Sequence, residues 1–293
     1  MKSVMNFPNR GPWGKSNWRG NTSGYVIKEM IEHFQPKLFV DACEGSGTSG
    51  DVCREMGIEY IGLDLYKGND FTKDDILTQL PRPADICFTH PPYHDMITYS
   101  GEVYAGARDS DTSRCSSPEE FIAKSQIMLM NQREATKRGG IYATLIGDHR
   151  GGTLGSGNFR SYQSDFIQMM PKEELLSVTI KLQHNCLSDM RQYSGNFVPI
   201  MHEYLLLWKK KEKSRFAVSL DIASDLQRRV ATTWRNAIRI VLMKLKEAKL
   251  ETIYAEVEKV AAHLIAKNKN WQAKIRQQLQ LHFTNVERGV WAA

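Results

Sequence analysis

The sequence predicts an α/β fold with a mostly parallel sheet, followed by a smaller helical domain. Three observations predict it. Short apolar runs alternate with stretches of helical periodicity through about residue 182. A glycine-rich turn follows the first of those runs directly. Past Lys209 the chain turns basic and helical.

The elements follow in order. Residues 1–24 are rich in Gly, Pro, Asn and Trp and read as loop. Residues 25–34 place Val26, Ile27, Met30, Ile31 and Phe34 on one helical face, and Pro36 marks the exit. Residues 38–42 form a buried strand that runs into Glu44-Gly-Ser-Gly-Thr-Ser-Gly50, with a helix through Met56. Residues 59–65 and 84–89 are further strands, the second ending in His90-Pro-Pro-Tyr93. Residues 99–118, polar and rich in Gly and Ser, read as a mobile loop. A helix over 118–138, a strand over 140–147 and a last strand pair at 174–182 and 199–208 complete the sheet. Residues 209–230 read as a basic linker and connecting helix. Three amphipathic helices at 234–246, 251–264 and 270–281 follow, then a short strand-turn-strand over 283–291.

Composition limits the function classes. The 293 residues include eleven Tyr, eleven Phe and six Trp, enough for a sizeable core. The longest apolar runs, such as 204–208, are far below the roughly 20 residues of a membrane span. The start, MKSVMNFPNRGPW, lacks a signal peptide's apolar stretch, so a cytoplasmic protein with no membrane partner is expected. Five cysteines with no CxxC pair suggest neither a disulfide framework nor a zinc cluster, and no metal is expected. From Lys209 onward there are 18 Lys+Arg against 8 Asp+Glu, a net +10. Subtracting from the chain totals of 39 and 33 leaves 21 and 25 before it, a net −4. A basic module on an acidic body fits a polyanion partner such as nucleic acid.

Three motifs fall at strand ends, where open α/β sheets bind ligands. Asp41-Ala-Cys-Glu-Gly-Ser-Gly-Thr48 lets backbone approach a ligand closely at its glycines. Asp64 ends the second strand, where a carboxylate can accept from both ribose hydroxyls of a nucleoside. The full GxGxxG dinucleotide fingerprint is absent. Thr89-His-Pro-Pro-Tyr93 is a rigid turn with no proline donors, free carbonyl acceptors and an aromatic face. Such a turn suits an exocyclic amino group held by acceptors with its base stacked on Tyr93.

This set resembles the DNA amino-methyltransferases, the S-adenosylmethionine-dependent enzymes that make N6-methyladenine or N4-methylcytosine. Asp41, Gly45, Gly47 and Thr48 match that family's D-P-x-x-G-x-G-T stretch, which binds the methionine part of the cofactor. Asp64 matches its ribose-binding acid, and Pro91, Pro92 and Tyr93 match its catalytic [D/N/S]-P-P-[Y/F/W] motif. Asp70 and Phe71 lie where the family contacts the adenine of the cofactor. Residues 7–24 look like its additional cofactor segment, which makes Phe7 and Arg10 candidates, as is Cys43 within the turn. The resemblance covers roughly residues 1–208. It implies a Rossmann-like methyltransferase sheet with the last strand reversed, S-adenosylmethionine as cofactor and methyl transfer to a flipped base in double-stranded DNA, with adenine N6 preferred.

Two residues depart from the pattern. Ala42 replaces the usual Pro, and His90 replaces Asp, Asn or Ser. Neutral imidazole keeps one acceptor nitrogen and can hold the target amino group; imidazolium has none. His90 as the acceptor therefore implies activity falling below about pH 6.5, the ordinary His value. Cys87, inside a strand, reads as core rather than as a nucleophile. Two loops, 148–160 and 184–195 with Arg191 and Tyr193, are candidates for holding DNA.

The C-terminal helices and hairpin, ending Glu287-Arg-Gly-Val-Trp291, resemble winged-helix modules attached to restriction-modification proteins. That resemblance makes 231–293 a winged-helix domain, Lys269, Lys274, Arg276 and Arg288 DNA contacts, and a cognate nuclease a candidate partner. N4-cytosine or RNA methylation, and a non-catalytic DNA-binding protein with a degenerate site, are the alternatives.

Overall fold

The computed structural model describes residues 1–150, 158–185, 198–212 and 233–293. The chain divides into two compact units. One comprises Met1–Phe71 with Ile76–Arg215, and the other Thr72–Asp75 with Phe216–Ala293.

The first unit is built on a seven-stranded sheet. Its strands are β1 (Val4–Met5), β2 (Leu38–Asp41), β3 (Glu59–Gly62), β4 (Ala84–Thr89), β5 (Thr136–Ile146), β8 (Leu175–Leu182) and β9 (His202–Lys209). They lie in the order β1-β8-β9-β5-β4-β2-β3. All neighbours pair parallel except β9, which runs antiparallel to both β5 and β8. A mostly parallel sheet with one reversed strand is the expected α/β architecture. A small separate hairpin pairs β6 (His149–Arg150) with β7 (Phe159–Arg160).

Helices cover both faces of the sheet. On one face α1 (Gly24–Phe34) and α2 (Thr48–Glu55) bury Val26, Ile27, Met30, Ile31 and Val52 against Phe39, Ile86, Phe88 and Ala143. The alternate residues Leu38, Val40 and Cys87 face the other side, where Ala135 of α3 (Pro118–Ala135) joins them. This alternation is the period-two pattern of a strand buried on both faces. Cys87 is fully buried and its thiol is pushed far above the ordinary range by that burial, as a core cysteine should be. The last helix of the unit is α4 (Tyr162–Met169).

Several elements differ from expectation: β1 lies within residues read as loop, and the β6–β7 pair and α4 are additional to the expected elements. The helix expected to reach residue 138 ends at Ala135, where the Thr136 hydroxyl donates to the Gln132 carbonyl (2.9 Å). The strand starts at once and absorbs the surplus as a bulge: Ala84 pairs with Thr136 but Ile86 with Ile141, and Gly139 takes φ 74°. The segment 99–118, expected to be a mobile loop, is tied down at Ser100 and 110–113, while Gly101, Glu102 and 105–109 are exposed. Asp111 accepts from the Ser100 amide (2.7 Å), the Ser113 amide (2.8 Å) and the Ser113 hydroxyl (2.6 Å), and Ser100, Asp111 and Ser113 are buried. Its polar residues satisfy one another, which a polarity count cannot reveal.

The second unit holds α5 (Trp234–Leu245), β10 (Glu247–Lys249), α6 (Leu250–Val260), α7 (Ala262–Ile265), α8 (Trp271–His282), β11 (Thr284–Glu287) and β12 (Val290–Ala292). Its three strands lie in the order β10-β12-β11, all antiparallel. Ala237, Ile238, Val241, Leu242, Ile253, Val257, Ile275 and Leu279 form its core. The second expected helix is broken at Ala261, and the short strand β10 is additional to the expected elements. Of the residues expected to link the units, 213–230 lie outside the described residues.

No described helix is long and apolar enough to cross a membrane.

Candidate active site

The carboxyl ends of β2, β3 and β4 meet in register, since Asp41 pairs with both Gly62 and Phe88. Backbone bonds tie the exits together: the Leu63 amide donates to the Asp41 carbonyl (2.8 Å) and the Ala42 amide to the Phe88 carbonyl (3.0 Å). The three sequence motifs therefore share one edge of the sheet.

The turn after β2 needs left-handed backbone at Gly45 (φ 52°) and Gly47 (φ 88°). A Cβ on Gly47 would meet no heavy atom within 4 Å, so that backbone faces open space. Beside it the Thr48 hydroxyl is buried and without a hydrogen-bond partner. The N-terminal segment folds over this turn. The Gly14 amide donates to Asp51 (2.9 Å), the Lys15 amide to the Ser46 hydroxyl (3.0 Å), and the Ser46 hydroxyl to Asn21 (2.8 Å). Phe7 stacks on Tyr25 with centroids 5.5 Å apart. Arg10 is half-buried; its Nη2 reaches the Gly14 carbonyl (3.4 Å), while its Nη1 is buried without a partner.

Three acids crowd the strand ends. Asp41 accepts from Ser49 (2.5 Å) and from the Cys43 amide (3.0 Å), yet burial pushes its carboxyl up to about 7. Asp64 accepts from the Gly45 and Tyr66 amides (2.9 and 3.1 Å), and burial again pushes it up, to about 6. Glu44 accepts from the Tyr60 and Tyr66 hydroxyls (3.1 and 3.3 Å) and pairs with Lys67. A Cβ on Gly62 would lie 1.4 Å from Glu44 Oε2, which explains that glycine. Burial likewise raises the Cys43 thiol well above its usual range.

Asp70 is half-buried after Gly68. Phe71 packs partly buried against the Leu38–Val40–Leu63 side of the core. Sequence reasoning missed an aromatic row at this edge: Trp18 lies 5.5 Å from Tyr66, which lies 6.0 Å from Tyr104. The signal available was Tyr66, two residues past Asp64.

At the end of β4, His90 and Tyr93 belong to a buried polar chain. Tyr93 donates its hydroxyl proton to Glu203 Oε1 (2.9 Å), and His90 Nε2 lies 2.8 Å from the same hydroxyl oxygen. With its proton given to Glu203, that oxygen accepts from His90, so Nε2 carries the hydrogen and Nδ1 is the acceptor. Lys181 holds the second oxygen of Glu203 (2.5 Å). Lys181 chiefly, among its neighbours, holds Glu203 at about 2 against its burial. Burial pushes His90 down to about 4 although Glu203 pulls the other way. The expected loss of neutral His90 below pH 6.5 is therefore corrected: desolvation keeps the ring neutral to about pH 4. Tyr93 is only 8% exposed, with its ring against the backbone of Gly147. Pro91 is buried and Pro92 half-buried.

Glu203 and Lys181 were missed by sequence reasoning. Their signal was a charged pair inside two apolar strands, and the register sets Lys181 opposite Glu203. Arg191 and Tyr193 lie outside the described residues, as do 151–157 of the other candidate loop. In the second unit Lys269, Arg276 and Arg288 are exposed and Lys274 half-buried. Lys274 bonds to Gln277 (2.8 Å) and Arg276 to the Tyr254 hydroxyl (2.8 Å).

No protein-family model and no curated protein matches the chain. Among solved structures it is similar to a protein from Thermus thermophilus assigned as a DNA modification methylase and complexed with S-adenosyl-L-methionine. That match has 16% identity, 52% of this chain, 57% of that one and TM-score 0.34, so the chain spans little more than half that protein's length. It is also similar to an rRNA methylase from Streptococcus thermophilus (12% identity, 64% and 96% covered, TM-score 0.33). A third is a SAM-dependent methyltransferase from Archaeoglobus fulgidus (14%, 66% and 96%, TM-score 0.37).

Proposed function

We propose that the chain is an S-adenosylmethionine-dependent amino-methyltransferase of double-stranded DNA, acting on adenine N6. The observation that carries this reading is the shared sheet edge, where the open glycine turn, the half-buried Asp64 and the His90-Pro-Pro-Tyr93 turn lie side by side. The residues fit the cofactor. Gly47 offers a backbone cradle that a Cβ would fill, and Thr48 holds an unpartnered buried hydroxyl. Asp41 and Asp64, raised by burial, gain from a cationic ligand at the edge.

In this reading Asp41, Cys43, Gly45, Gly47 and Thr48 hold the methionine part and Asp64 the ribose hydroxyls. Phe7 and Arg10 close the pocket, and Asp70 and Phe71 lie towards the adenine. When bound, the cofactor supplies an electrophilic methyl on a cationic sulfur. His90 Nδ1 and the Pro91 carbonyl accept from the target amino group and aim its lone pair at that carbon. On receiving that methyl the amino nitrogen would shed one proton, for which His90 Nδ1 is the placed acceptor. Pro92 keeps the turn rigid. Tyr93 is the stacking platform, fixed at its hydroxyl by Glu203, and needs its cover displaced as the base enters.

The second unit supports a winged-helix reading. Helix, strand, helices and hairpin follow in the order α5-β10-α6-α8-β11-β12, with a β10-β12-β11 sheet. Lys269, Lys274 and Arg276 on or before α8, and Arg288 at the hairpin tip, would contact DNA.

The test is transfer from labelled S-adenosylmethionine to mixed-sequence duplex DNA, with matched RNA alongside and nucleoside mass spectrometry of the digests. N6-methyladenine from wild type and none from His90→Ala is the expected result. N4-methylcytosine or modified RNA would move the substrate. Cofactor binding without product on any nucleic acid would remove the catalytic reading.

A further inference from the structure

Directly after the Pro-Pro-Tyr turn, His94 takes left-handed backbone (φ 52°). Asp95 follows, and His149 approaches from β6. One ligand atom from each of the three lies within 4.8 Å of the others. Asp95 Oδ1 is 2.8 Å from His149 Nε2 and 3.6 Å from His94 Nδ1. A tetrahedral centre with bonds of about 2.1 Å spaces its ligand atoms by about 3.4 Å. The two measured spacings bracket that value.

The protonation pattern also fits. His94 Nε2 lies 3.1 Å from the Cys115 carbonyl. A carbonyl only accepts, so Nε2 carries the hydrogen and Nδ1 the lone pair. Metal-binding imidazoles are oriented by this kind of outer bond to a carbonyl. The Tyr162 hydroxyl, 3.2 Å from Nδ1, occupies the lone pair that a cation would take. The surroundings shield the two imidazoles. Phe121 packs 5.7 Å from the His94 ring, Tyr162 stacks 5.7 Å from the His149 ring, and both imidazoles are buried. The Asp95 side chain is 60% exposed, so the carboxylate stands at the solvent mouth of an otherwise walled cluster.

We propose that His94, Asp95 and His149 bind one divalent transition-metal ion of the zinc class, with a water or the Tyr162 oxygen as fourth ligand. Two imidazoles with one carboxylate favour zinc-class ions over magnesium or calcium, which prefer all-oxygen sets. The ion joins the exit of the Pro-Pro-Tyr turn to β6, so its role is structural. The proposal does not depend on methyl transfer. The competing state is a plain His149–Asp95 hydrogen bond with no ion.

The experiment uses the full chain, stripped with a chelator and dialysed. Zn²⁺ is titrated by calorimetry, with thermal unfolding in parallel. One ion per chain, and a melting temperature raised by roughly 5 °C or more at a hundred times Kd, are expected. Asp95→Asn, at an exposed position, should weaken binding at least about tenfold. His263→Gln, an exposed histidine of the second unit, should leave it unchanged. Co²⁺ should give the strong visible absorption of a four-coordinate site in wild type and lose it in Asp95→Asn. No stoichiometric Zn²⁺ binding would overturn the proposal, as would equal binding by Asp95→Asn and wild type. Tighter binding of Mg²⁺ than of Zn²⁺ would overturn it too. S-adenosylmethionine binding to the same stripped protein tells the two readings apart. A chain that binds the cofactor but takes up no Zn²⁺ when titrated loses the metal site alone; one that takes up Zn²⁺ but binds no cofactor loses the methyltransferase reading alone.

Discussion

Glu174 and Asp64 are both buried or half-buried acids in the first unit, and the chain treats them in opposite ways. Glu174 is fully enclosed and accepts from Arg133 Nε and Nη2 (2.7 and 2.6 Å), from the Tyr142 hydroxyl (2.6 Å) and from the Lys211 amide (2.9 Å). A guanidinium fork supplies its counter-charge. Asp64, with Asp41 and Glu44 close by, draws mainly on backbone amides and hydroxyls, and Lys67, paired with Glu44, is the cation felt at Asp64. Its carboxyl, like that of Asp41, is pushed up. The structural acid carries its partner within the fold. Asp41 and Asp64 are bonded to hydroxyl and amide donors rather than to a cation of their own, and a cationic ligand would supply one. Desolvated acids without an internal counter-charge mark a functional edge more sharply than any one motif.

The largest effect tests the structural side. Glu174→Ala should cost about 3–5 kcal/mol, because it strips the buried Arg133 Nε and Nη2 of their acceptor and leaves Glu134 on Nη1 to offset the charge. Urea unfolding measures this, and a loss below about 1 kcal/mol would erase the contrast. Asp64→Asn should do the reverse: stability equal or higher, and S-adenosylmethionine affinity down about 10- to 100-fold, as for a lost bond of about 1.5–3 kcal/mol to a charged group. Calorimetry on both variants sharpens the comparison, and a stability loss in Asp64→Asn as large as that of Glu174→Ala would break it.

Glu203→Gln and Tyr93→Phe test a third buried acid, paired with Lys181 but tied to the Pro-Pro-Tyr turn. Tyr93→Phe keeps the ring and removes the hydroxyl that fixes the His90 tautomer. Each should lower kcat by up to about a hundredfold with cofactor affinity intact. Equal losses of kcat and of cofactor binding would place the chain elsewhere in the mechanism.

The pH dependence separates the groups by sign. Cofactor affinity should fall as pH drops from 8 through 7 and 6, where Asp41 and then Asp64 take up protons. Both folded values lie above the roughly 3.9 of an unfolded Asp, so their ionisation opposes folding at high pH and that cost is relieved as pH falls. His90 acts oppositely. Its folded value near 4 lies below the unfolded value of about 6.5, so its contribution to stability is lost as pH falls through that window. On the His90 account kcat should stay level to about pH 5 and decline towards 4. A fall centred on pH 6.5 would show a solvated ring. The smallest effect is in the second unit: Lys274→Ala or Lys269→Ala should each reduce the salt slope of DNA binding by about 0.9.

Much of the fold was legible. The strand over 84–89 matches β4 at both ends, and the reversed strand β9 was expected. The first follows from local pattern, since apolar runs bounded by Gly and Pro name strands regardless of partners; the reversal was implied by the family resemblance. Less of the site was legible. Asp41, Asp64 and His90 could be picked out from motifs. Lys181 and Glu203 could not, because they lie about 90 and 110 residues beyond the turn they serve and meet only through strand register. Nor could Asp111's role be read, because its three short bonds to Ser100 and Ser113 form only once the loop is folded.

By itself, the sequence determined which residue types stand at each strand end, where the glycines permit left-handed turns, and where basic charge gathers. Only the tertiary structure decided their chemistry. Burial moved His90 down and Asp41 and Asp64 up, the Tyr93–Glu203 bond assigned the imidazole proton, and the fold gathered His94, Asp95 and His149 within one ion's reach. The physical reason is that proton affinity and ligand geometry depend on dielectric surroundings and on atoms distant in the chain, whereas backbone preference and hydrophobic period are properties of neighbours.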